Sequence, residues 1–314
     1  MNHLESSFKG KNAFWRYFVM IVAVLAASNT IGSIPLLVSI FQNPSAIGEL
    51  SANPNDLSPL GLDPVTAFIF MLIPFAVGLG AFVLLIRPLN AKSIMTVING
   101  TGSFRWNRLF ISAGVWIVVS IIYLFVNMKL DPGNFSLNNL SSTLIPLIFV
   151  SIILIPFQAA FEEVIFRGYL MQGFTVILRK RMFPLLMTSL LFGLMHSMNP
   201  EVKEFGFLTM MPQYIVFGLI FGIITILDDG IESAIGIHSA NNAFLCIVIT
   251  NKSSALQTPA IWEQHAIYPW AEFATMLIMG FVTIVVLKKI FKWGSFNLLA
   301  SGVEPKVENA DQVA

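Results

Sequence analysis

Phe161-Glu162-Glu163-Val164-Ile165-Phe166-Arg167-Gly168 puts two adjacent carboxylates and an arginine in one of the most apolar neighbourhoods of the chain. Residues 144–157 before it and 168–178 after it carry no charge. Moving a carboxylate into hydrocarbon costs about 2.5 kcal/mol or more even on lenient insertion scales, so two in succession require a reason. A protein-lined, partly hydrated cavity in which the pair acts on a substrate supplies one. The remaining sequence must then provide partners for these carboxylates.

Composition sets the medium. The 314 residues are 56% hydrophobic and 11% charged, with a mean hydropathy of +0.77; soluble domains are about 25% charged. A net charge of +1 offers no basic surface for nucleic acid. The single cysteine, Cys246, excludes an internal disulfide framework and a four-cysteine metal site, and its apolar surroundings read as those of an inert buried thiol. The chain reads as an all-α, polytopic membrane helix bundle.

Eight stretches are long and apolar enough to cross a bilayer: 14–41, 64–86, 109–127, 143–166 (with a possible extension to 177), 183–199, 211–227, 231–250 and 270–287. The first is too long for a signal-peptide core and reads as an anchor. Lys9, Lys11 and Arg16, then Arg87, Lys92, Arg105 and Arg108, then Arg179, Lys180 and Arg181, then Lys288, Lys289, Lys292 and Lys306 fall on one set of alternate connections. The other set holds only Lys129, Lys203 and Lys252. By the positive-inside rule this predicts both termini in the cytoplasm. The outer connections 42–63, 128–142 and 251–269 read as polar turns, and Asp228-Asp229-Gly230 as a tight turn. The organisation expected is an N-terminal three-span region (1–142), a core (143–250), an outer loop with the last span (251–293) and a disordered cytoplasmic tail (294–314).

Two of the four histidines lie inside apolar spans. His196 ends Leu191-Phe192-Gly193-Leu194-Met195-His196, and His238 begins His238-Ser239-Ala240-Asn241-Asn242. Residues four apart share a helix face, pairing Phe192 with His196, Asn242 with His238, and Arg167 with Glu163. Glu162 is turned about 100° from Glu163, so one carboxylate can face a cavity while the other pairs with Arg167. Depth agrees: Glu162 lies about 26 Å and His196 about 23 Å from the Arg179–Arg181 turn, while His238 and Asn242 lie roughly 14 and 20 Å from Asp229. A straight helix over 143–179 would be about 54 Å long, more than a bilayer core requires, so a break or kink at Pro146, Pro156, Gly168 or Gly173 is expected.

Glu162-Glu163-x3-Arg167, Phe192-x3-His196 and His238-x3-Asn242, in that order on separate apolar spans, resemble the motif set of the CPBP (Abi) family, bacterial relatives of the type II CAAX prenyl endopeptidase. The flanking Phe166-Arg167-Gly168-Tyr169-Leu170 and Leu191–His196 stretches resemble it too, and the resemblance covers residues 143–250. It implies an intramembrane glutamic endopeptidase in a bacterial cell membrane, acting on membrane-associated or lipid-modified peptide substrates without a cofactor. In that scheme Glu162 is the base that activates water, and His196 helps to hold the water. His238 and Asn242 steady the oxyanion, Glu163 and Arg167 form a supporting pair, and Phe192 is packing or a pocket wall.

The chemistry stands beside the resemblance, because amide hydrolysis needs an activated water and donors aimed at developing negative charge. Blander readings exist for each residue. Glu162 and Glu163 would serve in a structural ion pair with Arg167 that locks two helices, His196 as a satisfied core histidine and Asn242 as interhelical glue, with Asn241 a competing amide. Glu201, Lys203, Glu204 and His265 read as solvated loop residues. A zinc protease built from the same residues is an alternative, although no His-Glu-x-x-His helix is present. A proton-coupled transporter or a non-catalytic binding protein is another, although no inverted repeat is visible.

Overall fold

The computed structural model describes residues 3–52, 56–138 and 142–305. Thirteen α-helices run through the described residues: α1 (Phe14–Thr30), α2 (Ile34–Gln42), α3 (Ile47–Ala52), α4 (Pro64–Asn90), α5 (Ile94–Ile98), α6 (Trp106–Leu130), α7 (Leu144–Glu163), α8 (Met171–Leu178), α9 (Met182–Met195), α10 (Pro200–Phe205), α11 (Phe207–Asp228), α12 (Glu232–Ile247) and α13 (Pro269–Phe291). Six stretches are long and apolar enough to cross a membrane: Phe14–Gln42, Pro64–Asn90, Trp106–Leu130, Leu144–Leu178, Phe207–Asp228 and Pro269–Phe291. α9, at 14 residues, is a shorter apolar helix, and α12, at 16 residues, lies at the seventh of the eight expected segments, so the count is roughly as expected. Large apolar side chains such as Phe18, Leu84, Phe110, Phe125, Phe149 and Phe281 stay exposed on the outside of the bundle, where lipid replaces water as their solvent. The chain is an integral membrane protein.

α12 sits at the centre. It packs most extensively on α6 and then on α7, while α11 packs on α9 and α13, and α4 on α1 and α7. Small residues permit these approaches. A Cβ on Gly236 of α12 would lie 2.2 Å from the Leu109 carbonyl oxygen of α6, and one on Gly218 of α11 would lie 2.7 Å from the Ser189 Cα of α9. Backbones that touch this closely leave little play in the side chains beside them.

Several expectations change. No break interrupts residues 144–178. α7 runs directly into a π-helical turn, Val164–Leu170, and on into α8. Pro146 falls in the first turn, where its missing N–H removes no helix bond, and only Pro156 lies in the helix interior. The deviation is therefore a wide turn beginning one residue after Glu163, a form of irregularity frequently found at functional sites. The fifth span stops at Met195 rather than 199, because His196 is the C-cap and its N–H folds back to the Gly193 carbonyl at 3.0 Å. The first span divides at Gly32, where a Cβ would meet Ser28 O at 2.3 Å and Pro74 Cα at 2.5 Å.

The outer connections are more ordered than polar turns. β1 (Phe135–Leu137), β2 (Ile249–Thr250) and β3 (Trp262–Gln264) form a sheet ordered β1-β3-β2, antiparallel in the first pair and parallel in the second. The described part of the expected disordered tail is also structured. A 3-10 turn, Phe296–Ala300, follows α13, Val303 is buried with Leu4, Met171, Leu185 and Ile226, and Val303 N–H donates to Arg179 O at 2.8 Å. The apolar Leu298 and Val303 give this segment a surface to bury, and residues 306–314, with Lys306, lie outside the described residues.

The end of the bundle that carries most of the basic residues is knitted by buried charge. Arg105 pairs with Glu232 at 2.6 Å and with Asp228 at 3.5 Å, and Arg108 pairs with Asp228 at 3.0 Å. Asp229, at φ +58°, and Gly230, at φ +159°, make the tight turn expected at 228–230. The N-terminal segment is tucked into the same end: His3 N–H donates to Asp229 Oδ1 at 2.8 Å, and the His3 ring reaches the Arg167 carbonyl at 2.9 Å. That ring is wholly enclosed, and burial depresses its pKa to about 4.

Candidate active site

All three motifs meet in one cavity of about 270 Å³. Glu162 comes from the end of α7, His196 from the C-cap of α9, and His238, Asn241 and Asn242 from α12; all five side chains line it. Phe75, Phe217, Phe221 and Leu245 supply apolar wall, and Ser254, Ala255 and Leu256 from the β2–β3 connection form part of the rim. Phe192 also lines the cavity, which fits the pocket-wall reading of that residue. Cys246 is buried and free at its edge.

Glu162 and Glu163 part company, as adjacent helix positions require. Glu163 is wholly buried and accepts from Arg167 Nη1 at 2.9 Å, and Arg167 Nη2 donates to Gly218 O at 3.3 Å. The guanidinium lies 4.2 Å from the Phe192 ring centroid and 5.2 Å from that of Phe221, so aromatic faces cover what the carboxylate does not. Glu163 Oε1 also holds His238 Nδ1 at 2.8 Å. Glu162 faces the cavity. Its Oε2 lies 3.9 Å from His196 Nε2 and 3.8 Å from His238 Nε2, and it has no hydrogen-bond partner among the described residues. These separations are too long for direct hydrogen bonds and suit a shared bridging molecule of water size.

The partners of the far ring nitrogens fix both tautomers. His196 Nδ1 lies 2.7 Å from the Phe192 carbonyl. That carbonyl is free to receive it because the last turn of α9 tightens, the His196 N–H going to Gly193 O instead. A carbonyl only accepts, so His196 Nδ1 bears the proton and neutral His196 presents a lone pair at Nε2. Glu163 Oε1, which accepts from Arg167 Nη1, imposes the same tautomer on His238 as the acceptor at its Nδ1. Tyr214 stacks on His196 with centroids 4.5 Å apart, and Phe221 stacks on His238 at 5.1 Å.

Asn242 reaches Glu162 only indirectly. Its Nδ2 donates to Gln158 Oε1 at 2.8 Å, and Gln158 Nε2 donates in a very short hydrogen bond to Glu162 Oε1. Asn241, the competing amide, is hydrogen-bonded to Asn242, donating to its Oδ1 at 3.0 Å and accepting from Trp116 Nε1 at 3.3 Å. Gln158, Trp116 and Tyr214 were not singled out from sequence. Gln158 had a signal, being a polar residue one helical turn before Glu162 in an otherwise apolar run. Tyr214 and Trp116 had none, since aromatic residues are ordinary in such spans.

Glu201 corrects the reading of a solvated loop. It sits on α10, lines the cavity, accepts from Ala255 N–H at 2.9 Å, and burial pushes its carboxyl above the usual carboxylate range. It also borders a second, largely apolar cavity of about 230 Å³ reaching α6 and α13, which shares Tyr214, Phe217, Asn241 and Leu245 with the first. Among the described residues, no group of three or more His, Cys, Asp or Glu has an arrangement that would hold a metal ion.

Residues 141–244 match the family model described as Type II CAAX prenyl endopeptidase Rce1-like. The chain is also 28% identical over 258 residues to the uncharacterized protein YyaK of Bacillus subtilis (strain 168), covering 81% of this chain and 84% of that protein. No solved structure matches it. The three motifs and the family match fall on the same stretch, which bears out the resemblance read from sequence: residues 141–244 of this integral membrane protein are similar to the Rce1-like, CAAX-type membrane proteases.

Proposed function

We propose that the protein is an intramembrane glutamic endopeptidase that hydrolyses peptide bonds of membrane-associated substrates by direct attack of water. The observation that carries this reading is the approach of His196 Nε2 and His238 Nε2 to within 4 Å of Glu162 Oε2 in a half-open, mostly apolar cavity. Water held there by His196 loses a proton to Glu162 as its oxygen bonds to the peptide carbonyl carbon. The proton then passes to the departing nitrogen as the C–N bond breaks, leaving Glu162 ionised for the next cycle.

The fixed tautomers refine the oxyanion role expected for His238. Neutral His238 offers no donor to the cavity, so it stabilises an oxyanion only in its doubly protonated form. Asn242 contributes the amide hydrogen that Gln158 does not take. Glu163 and Arg167 act as positioning residues, aiming His238.

A zinc-dependent version of the hydrolysis would need His196 and His238 as ligands, although no metal-holding group of three or more is found among the described residues, and a transporter or binding protein would use the cavity without turnover. One comparison separates these. New peptide termini are catalogued in membranes of cells making the wild type or Glu162→Gln, with and without a membrane-permeant chelator. Termini present only with the wild type and indifferent to the chelator support the proposal. Loss on chelation that zinc restores selects the metalloenzyme, and identical termini in both cell types refute proteolysis. Cytoplasmic termini, on the strength of the charge asymmetry, and a bacterial cell membrane, on that of the resemblance, belong to the same proposal.

A further inference from the structure

Glu162 stands at the end of a line of side-chain amides that crosses from α6 through α12 to α7. Trp116 Nε1 meets Asn241 Oδ1 (3.3 Å), Asn241 Nδ2 meets Asn242 Oδ1 (3.0 Å), Asn242 Nδ2 meets Gln158 Oε1 (2.8 Å), and Gln158 Nε2 meets Glu162 Oε1. An amide in isolation can be turned either way, presenting N–H or C=O to a neighbour. In a line of three, the choice made at one end sets all the others, because each amide must match donor to acceptor with the next. Trp116 makes that choice: an indole nitrogen donates and cannot accept, so Asn241 must turn its oxygen towards it. The remaining amides then follow, and the last one shows Glu162 an N–H.

We propose that Trp116, Asn241 and Gln158 are positioning residues that keep an N–H donor against Glu162 and thereby hold it in the ionised, proton-accepting form. This rests on the assignment of Glu162 as the base. Without the indole N–H, the line can invert and bring the Gln158 carbonyl to Glu162, an arrangement that only a protonated carboxyl satisfies. Trp116 is almost wholly buried but borders the second cavity with Asn241; a water entering from there can donate or accept, so it does not fix the direction of the line as the indole N–H does. The other groups facing Glu162 are His196 on α9, His238 on α12, Tyr214 on α11, and Arg167 and Glu163 on the adjoining turn of its own helix. None of these touches Gln158 Nε2, so none substitutes for it.

The test is the pH profile of kcat/KM, measured with the purified full-length protein in lipid vesicles on an internally quenched peptide library, for Trp116→Phe, Gln158→Met and the double variant. A base held ionised less firmly is lost to protonation sooner, so both single variants move the acid limb to higher pH. The loss on the acid side is about 10- to 100-fold for Gln158→Met, the scale of one hydrogen bond to a charged group. Trp116 and Gln158 act through one line, so the double variant loses no more than Gln158→Met alone. Multiplicative losses, or losses equal at every pH, overturn the proposal, because independent packing residues behave that way. Should Trp116→Phe fail to fold, Asn241→Leu removes the same link and carries the same expectation. Glu162→Gln keeps the two failures apart. If it cleaves normally, the base assignment fails; if it is inactive while the other variants keep the wild-type profile, only the amide line fails.

Discussion

Gly236→Ala adds one methyl group at the most tightly packed helix contact, two residues before His238. The new Cβ would lie 2.2 Å from Leu109 O, 2.9 Å from Leu109 C and 3.1 Å from Leu109 Cα. All three atoms are backbone, so no side-chain rotation relieves the clash. A carbon and a carbonyl oxygen settle at about 3.3 Å or more, so α12 and α6 must separate by about 1 Å. Overpacking of this kind costs about 1–3 kcal/mol, or roughly 2–12 °C in melting temperature for a chain of this size. The effect on turnover is larger, because His238 and Asn242 ride on α12 and Trp116 on α6. A displacement of about 1 Å at reacting groups can cost on the order of 100-fold. The assay compares melting in detergent and peptide cleavage in vesicles for Gly236→Ala and for Gly114→Ala, a glycine of α6 whose added Cβ meets nothing within 4 Å. The second variant should melt at or slightly above the wild-type temperature, as replacing a mid-helix glycine by alanine stabilises by up to about 1 kcal/mol. Wild-type melting and turnover in Gly236→Ala would refute the claim that this contact holds the site.

Other outcomes follow from the same geometry. Arg167→Met leaves Glu163 buried without its cation and should lower stability by about 3–5 kcal/mol; adding Glu163→Gln should restore melting but not cleavage, and additive losses would contradict the pairing. His3 is neutral when folded because its pKa falls to about 4. The unfolded chain takes up a proton near pH 6.5 that the folded chain refuses, so folding weakens as pH falls through 6.5 and the loss is complete near pH 4. The penalty reaches about 3 kcal/mol, and His3→Gln should flatten that part of the melting-versus-pH curve; equal slopes for the two proteins would show that the ring is not held neutral. Cleavage in 18O-labelled water should place a single label in the new carboxyl terminus, with no acyl-enzyme captured by hydroxylamine; a trapped adduct would replace direct water attack by a covalent route.

Much of the molecule was legible because a bilayer allows few solutions. Once the hydropathy runs were seen, helices were the only way to satisfy their backbones. The i+4 spacing within each motif then correctly predicted which side chains share a face. What was not legible depended on neighbours. The π turn after Glu163 leaves no mark in composition, since Val164–Leu170 reads like any other apolar helix. Leu298 and Val303 look like an unstructured tail until Leu4, Met171 and Leu185 are brought beside them. Glu201 looked solvated because its sequence neighbours are, yet Tyr214 and Ala255 close over it from elsewhere in the chain. The amide line spans α6, α12 and α7, so its members could be recognised together only after those helices had been packed.

The most direct measurement is the cleavage rate of purified Glu162→Gln in lipid vesicles, alongside its melting temperature. The substitution keeps the size of the side chain and its place beside Gln158 while removing the proton-accepting oxygen. Loss of cleavage to background with melting close to that of the wild type is the predicted result. Cleavage at the wild-type rate would contradict the account.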